Sequence, residues 1–271
     1  MNRKLAFIGA GNMSSSIIRG LVKNGKAAPS MIFASDIDVK KLNALNEELG
    51  IQAASGNIEA VEDADYIFMC VKPDKMPSVC HELRNYVSPS SVIVSIAAGI
   101  TQADLRRFFG SDKKIIRIMP NLPISVGEGM CMICENPNID NQYIQTVKDM
   151  LSSLGECVIM DEKYINAFVA LAGSSPAFIF MIIEAMADGG VLMGIPRDKA
   201  YTIASQALLG SAKMVMDTGK HPAELKDMVC SPAGTTIEAV AALEETGLRH
   251  SMINAMKVCM QKAESMDRTE K

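Results

Sequence analysis

The chain contains no tryptophan, only three histidines, and aromatic residues at just 5% of its 271 positions. So little histidine leaves few imidazoles for acid–base work or for a metal site. Basic residues are not in excess: 27 Lys and Arg face 31 Asp and Glu, a net charge of -4. That balance excludes the broad basic face a nucleic-acid binder needs. No stretch of 18 apolar residues is free of both charges and helix breakers, so no membrane span is expected. The opening MNRKLAFIGAGNM joins a basic start to an apolar run, but the run is short, meets glycines at once and has no small-residue cleavage site. It reads as a first strand rather than an export signal. The seven cysteines are odd in number and scattered. With 20 methionines beside them, they read as reduced thiols of a cytoplasmic protein. Cys131 and Cys134 have CxxC spacing but no second pair or nearby histidine, so they read as packing cysteines and no metal is expected.

What is present is alternation. Short apolar runs at Leu5 to Ile8, Met31 to Ser35, Asp65 to Val71, Ser91 to Ile96 and Lys114 to Met119 read as strands. Between them Ser14 to Lys23, Val39 to Leu49, Pro77 to Tyr86 and Thr101 to Phe109 have helical spacing, with Thr101 placed to cap the last. Such alternation predicts an α/β fold, a Rossmann-like doubly wound parallel sheet with helices on both faces. After about Asp161 the strands cease. Tyr164 to Leu171 is helical, Pro176, Pro196 and Pro222 each stand where a helix opens, and further helices follow from Ile237 and near His250. A boundary near 160 is therefore expected, with a dinucleotide-binding domain over 1–160 and an all-helical domain over 161–271. The stripe Phe178, Ile179, Ile182, Ile183 and Met186 reads as core or dimer contact.

Gly9, Ala10, Gly11, Asn12, Met13 and Ser14 follow the first strand and open the first helix. In that context Gly9 permits the tight turn, Gly11 lets backbone approach a pyrophosphate, and Ser14 keeps the helix close to the sheet. The helix N-terminus then offers free N–H groups to the phosphates. Asp36 ends the second strand, where a carboxylate accepts from the ribose diol and repels a 2′-phosphate. No arginine stands beside it in Ser35-Asp36-Ile37-Asp38, which favours NADH over NADPH; either Asp36 or Asp38 can also cap the helix from Val39. Lys72, at a strand end, faces the ligand crevice or is a solvated surface lysine. Ala98 would line the nicotinamide pocket, and Asn121 either orients the carboxamide or imine or is a turn residue. In the second half, Ser231-Pro-Ala-Gly234-Thr235-Thr236 is a small, hydroxyl-rich loop opening a helix. It is either a neutral cradle for a carboxylate or a plain capped helix start.

The loop closely resembles the signature of the pyrroline-5-carboxylate reductases. FIGAGNM, VKP, SIAAGIT, RIMPNLPISVGEGM, SPAFIF, ADGGVLMGIPR, QALLGSAKM and SPAGTTIEAV fall in that family's order along essentially the whole chain. The resemblance implies a Rossmann domain followed by a helical dimerisation domain, dimers that assemble into larger rings, and a soluble enzyme of proline biosynthesis that reduces the imine pyrroline-5-carboxylate to proline with NAD(P)H. Carried over by position, it implies that Gly9 to Ser14, Ser35, Asp36, Asn57, Val71, Lys72 and Ala98 contact the cofactor. Ser231, Gly234, Thr235 and Thr236 would hold the substrate carboxylate and ring nitrogen, with Glu162 and Asp227 approaching the same site. The chain departs from the family pattern in having Asp36-Ile37 for Asn-Arg, Ser175 for a glycine, and Leu122 for the threonine of Asn-Thr-Pro.

Reduction of an imine is mainly positioning, and the cofactor carries the hard step. His81, His221 and His250 lie in no motif for the reacting centre, and His221 reads as a helix-start residue. The hydroxyl of Thr236 is the candidate to hydrogen-bond the ring nitrogen and pass a proton. A related 3-hydroxyacid enzyme would place a catalytic lysine on the long helix after the boundary, but no lysine lies between Lys163 and Lys199. A non-catalytic nucleotide sensor would keep the glycine turn and lose the loop at 231–236, which is intact.

Overall fold

The computed structural model describes residues 3–269. Nucleotide-domain strands and helices alternate as the apolar runs predict: β1 (Leu5–Ile8), α1 (Asn12–Lys23), β2 (Ile32–Ser35), α2 (Val39–Leu49), β3 (Gln52–Ala53), α3 (Asn57–Val61), β4 (Tyr66–Met69), α4 (Met76–Leu83), β5 (Val92–Ser95), α5 (Gln102–Phe109) and β6 (Lys114–Pro120). Then come β7 (Gly129–Cys134), α6 (Asn141–Leu151), β8 (Gly155–Met160) and the short helix α7 (Ile165–Phe168). One eight-stranded sheet forms, in the order β3-β2-β1-β4-β5-β6-β7-β8. The first six strands are parallel and reverse direction of growth at β1, the arrangement of dinucleotide-binding sheets. The expected parallel sheet needs one correction: β7 returns antiparallel to β6, because only a short 3-10 turn over Leu122–Val126 joins them and no crossover helix intervenes.

Strands buried on both faces explain why they read as unbroken apolar runs. Alternation sends Leu5 and Phe7 into one core, under α1, α2 and α6, and Ala6 and Ile8 into the other, under α3, α4 and α5. Phe7 stacks on Phe68 of β4 with ring centroids 4.6 Å apart. Thr101 caps α5 as expected, in a reciprocal box with Asp104.

Contacts divide the chain into two compact units, Ser174–Val258 and the remainder, in which residues from Cys259 on group with those up to Gly173. The unit Ser174–Val258 holds α8 (Ser175–Leu192), α9 (Arg197–Thr218), α10 (Pro222–Val229), α11 (Thr235–Glu245) and the start of α12 (Leu248–Thr269). A π-helical turn, Val169–Gly173, lies between α7 and α8. Proline stands inside the first turn of α8 and α10 as predicted, whereas Pro196 is the residue before α9 rather than its first. His221 starts α10, its Nδ1 accepting from the Ala223 N–H at 3.2 Å. The helical stretch Glu162–Leu192 is long and apolar enough to cross a membrane by length and composition, with mean hydropathy 1.8. Much of its apolar surface is uncovered in a single chain, including Phe180 and Met181.

Candidate active site

The β1–α1 turn is built for an anion and leaves no room for a side chain at its first glycine. Gly9 has φ +101, and a Cβ there would lie 2.9 Å from the carbonyl oxygen of Cys70, at the end of β4. Gly11 is the N-cap of α1 and carries no capping side chain, and the first turn of the helix holds no acidic residue. A Cβ on Gly11 would meet no protein atom within 4 Å. No capping side chain takes the first-turn N–H groups, and the positive end of the helix dipole lies behind them. This donor set fits the pyrophosphate of a dinucleotide. Ser14 is buried, its hydroxyl donating to the Gly11 carbonyl at 3.0 Å, which lets the helix sit close against the sheet.

Asp36 does something the sequence did not reveal. Its Oδ2 accepts from the Ala10 N–H at 2.6 Å and its Oδ1 from the Asp38 N–H at 2.7 Å. The carboxylate therefore pins the glycine turn to the end of β2. Asp38, not Asp36, caps α2, by accepting from the Lys41 N–H. The buried Ser35 donates its hydroxyl to Asn57 Oδ1 at 2.7 Å, and Asn57 Nδ2 donates to Glu82 Oε2 at 3.0 Å. Gly9, Ala10, Ser35, Asp36 and Asn57 are thus one hydrogen-bonded group at the carboxyl ends of β1 and β2. Val71 and Lys72 follow β4 on the strand end that Gly9 abuts, with Lys72 exposed. Ala98 is exposed in the loop after β5.

Two expected contacts have other work within the sheet-bearing unit. Asn121 is buried, its Oδ1 accepting from the Met130 N–H at 2.8 Å and its Nδ2 donating to the Ala172 carbonyl at 3.0 Å. It ties β6 to β7 and to the π-helical turn. Glu162 Oε1 accepts from Arg117 Nη1 at 3.0 Å and from the Gln102 N–H, at the start of α5, at 2.8 Å. Arg117 is 1% exposed, and a buried guanidinium requires such a partner. Its position inside the apolar run Lys114–Pro120 is a signal legible in the sequence; its partner, 45 residues on, is not.

In the helical unit, Gly234 is the N-cap of α11 and, like Gly11, leaves the helix start without a capping side chain. A Cβ on Gly234 would fall 2.3 Å from Ser231 Oγ, so the hydroxyl occupies the space a side chain would need. Between them Ala233 has φ +55, one of two non-glycine residues at positive φ among the described residues. Such backbone is held only where the surroundings demand it. The loop thus brings the Ser231 hydroxyl, the Thr235 and Thr236 side chains and the free N–H groups of α11 to one helix N-terminus, with Thr236 half-buried. Asp227 is exposed on α10 and paired with its neighbour Lys226 at 2.6 Å. Among the described residues no three His, Cys, Asp or Glu side chains cluster to hold a metal.

Two family models match the chain. The one described as pyrroline-5-carboxylate reductase dimerisation covers residues 162–266, and the one described as NADP oxidoreductase, coenzyme F420-dependent, covers 4–99. The chain is 45% identical over 269 residues to pyrroline-5-carboxylate reductase of Escherichia coli (strain K12), covering 99% of this chain and 100% of that one. It is 40% identical to the enzyme of the same name from Methanosarcina acetivorans, covering 94% of each. Among solved structures, a pyrroline-5-carboxylate reductase from Coxiella burnetii matches with a TM-score of 0.92 at 30% identity, over 99% of this chain and 100% of that one. A Plasmodium falciparum pyrroline carboxylate reductase with NADP bound matches with a TM-score of 0.89 at 29% identity, over 98% of each chain.

Proposed function

The chain belongs to the pyrroline-5-carboxylate reductase family, and from that premise we propose that it reduces the C=N bond of pyrroline-5-carboxylate to give proline, using NADH in preference to NADPH. When bound, the dihydronicotinamide supplies the hydride. The observation that carries the reading is the pair of glycine-capped helix N-termini, at Gly11 and Gly234, each offering unpaired N–H groups to an anion.

In this reading Gly9 to Ser14 hold the pyrophosphate. Ser35, Asp36 and Asn57 lie along the adenosine ribose. Val71, Lys72 and Ala98 line the nicotinamide half. The N–H groups of Thr235 and Thr236 and the Ser231 hydroxyl hold the substrate carboxylate, with Gly234 leaving room for that hydroxyl. Binding the carboxylate at a helix N-terminus fixes the ring beside the donor and converts the reaction into a positioning problem. The Thr236 hydroxyl sits in the first turn of α11, where it hydrogen-bonds the ring nitrogen and passes the proton that the amine product keeps. Asn121 stays beside the cofactor and Glu162 and Asp227 beside the substrate, as the resemblance implies, each already holding a partner within the chain.

The cofactor preference rests on Asp36, whose charge opposes a 2′-phosphate, and on the absence of any cation in 35–39. The uncovered apolar faces of α8 and α9 are closed by a second copy of the chain, and dimers assemble further into a ring. The functional division stays near residue 160, where strands end. The enzyme works in the cytoplasm, where a thiol-rich chain stays reduced.

The deciding experiment follows oxidation of NADH and NADPH side by side with pyrroline-5-carboxylate as acceptor. Turnover with a higher kcat/KM for NADH supports both the reaction and the cofactor assignment. A higher kcat/KM for NADPH keeps the reaction and overturns the assignment; no oxidation of either overturns the reaction.

A further inference from the structure

Glu82 belongs to no motif, yet it ends a chain of hydrogen bonds that starts at the cofactor-facing end of β2. The Ser35 hydroxyl donates to Asn57 Oδ1, and Asn57 Nδ2 donates to Glu82 Oε2. An asparagine amide has two chemically different ends, and only its partners decide which way it faces. An acceptor-only carboxylate at 3.0 Å fixes Nδ2 towards α4 and leaves Oδ1 towards Ser35. Ser35 then spends its one proton on Asn57 and has only lone pairs to offer. Asp36, next in sequence, is likewise committed as an acceptor from Ala10 and Asp38. The ribose end of the crevice is thereby lined by acceptors. This suits a diol, which donates two protons, and repels a phosphate dianion, which donates none.

Three cations of the same unit are already paired. Lys41 is turned to Asp38, Lys75 to Asp74, and Arg19 to Glu48. Glu59 of α3 is turned back on Ser55 and held ionised by that hydroxyl, below the usual carboxylate range.

We propose that Glu82 is a specificity-determining residue: through Asn57 it sets the acceptor polarity of the 2′-position and adds a second negative charge to that of Asp36, so that the enzyme discriminates against the 2′-phosphate of NADPH. The proposal rests on the NADH preference argued above. Glu82 acts without touching the cofactor, and its effect is electrostatic and orientational.

The test is direct titration of NADH and NADPH, by the change in their fluorescence, into the purified wild type, E82Q, E82K and D36N. Glu82→Gln retains an acceptor for Asn57 but removes both the charge and the acceptor-only character that fixes the amide. The ratio of Kd for NADPH to Kd for NADH is expected to fall about fivefold in E82Q and further in E82K. In the wild type the ratio is expected to fall as salt rises from about 0.05 to 0.5 M, because partly exposed charges are screened, and to fall less in E82Q. A purely structural tie between α3 and α4 would not produce that salt signature. A ratio in E82Q and E82K within twofold of wild type, while D36N lowers it, overturns the role of Glu82 alone. A ratio unmoved in D36N as well overturns the preference on which the proposal rests.

Discussion

At Gly9 an added methyl group meets two obstacles at once, a φ of +101 and the Cys70 carbonyl 2.9 Å away. Gly9→Ala is expected to cost about 1–3 kcal/mol, since that is the usual cost of a side chain held in sparsely populated backbone. It should also weaken NADH binding severely; urea unfolding and cofactor titration check the two effects separately. At Thr236 the expectation is chemical rather than steric. Thr236→Ala should lower kcat about 100-fold, the lower end for a positioned proton donor, while Thr236→Ser retains most activity. An alanine enzyme with wild-type kcat would remove the threonine from the proton path. These residues were legible before the fold was known, because glycine spacing and a hydroxyl-rich helix start state their chemistry locally. The double engagement of Asp36 was not legible. The same residue type at the same strand end reads equally as a ribose acceptor, and only the approach of the Ala10 N–H to 2.6 Å assigns it a share in holding the turn.

Between elements, the tie from β6 and α5 to the segment before α7 runs through one carboxylate, Glu162. Glu162→Gln leaves the Arg117 guanidinium, 1% exposed, without its counter-charge. Breaking a fully buried pair costs about 3–5 kcal/mol, and the 27% exposure of the Glu162 side chain puts the expected loss nearer about 2 kcal/mol, read from the urea midpoint at constant m-value. Burial has a second consequence on these elements. It pushes the thiols of Cys80, on α4, and Cys134, on β7, up to about 12. Both stay protonated at pH 8, so iodoacetamide should leave them unmodified in the native protein and alkylate them in urea, as peptide mass analysis would show. Elements differ in how far the sequence exposes them. β1 and β5 are legible because a strand covered on both faces is apolar at every position. β8 is not, for it lies at the sheet edge and reads GECVIM, with an acidic residue and only partial burial. The antiparallel return of β7 is hidden for a different reason: strand direction is set by the length of the connection, and a short turn with one proline and one glycine looks the same whichever way the chain leaves it.

For the whole molecule, the apolar surface left on a single chain is the governing fact. Leu192 is 89% exposed on α8, and Leu209 and Met216, one heptad apart on α9, are 58% and 70% exposed. Such surface is covered by association, and the dimerisation model spans these helices. Replacing Leu209 and Met216 together by glutamate should shift the protein towards monomer in sedimentation velocity and make its thermal midpoint insensitive to protein concentration, whereas the wild-type midpoint rises with concentration. Self-association was legible as a composition, Ala, Met, Ile and Leu crowded into helices with no strand to cover. Which faces meet was not, because in the helical unit apolar side chains run around most of each helix and no single stripe marks the seam.

Both glycine-capped helix starts hold their ligands, in this account, with peptide N–H groups. A peptide amide neither gains nor loses a proton anywhere in the working range of an enzyme, so these two cradles are blind to pH. The binding of pyrophosphate and carboxylate through them then contributes no ionisation of the protein's own to the pH profile of kcat/KM. An amino-acid sequence that writes its recognition into the main chain in this way also hides it from side-chain exchange. The neighbours of Gly11 and Gly234 can drift in chemistry while the donors themselves, belonging to every residue alike, stay where the helices put them.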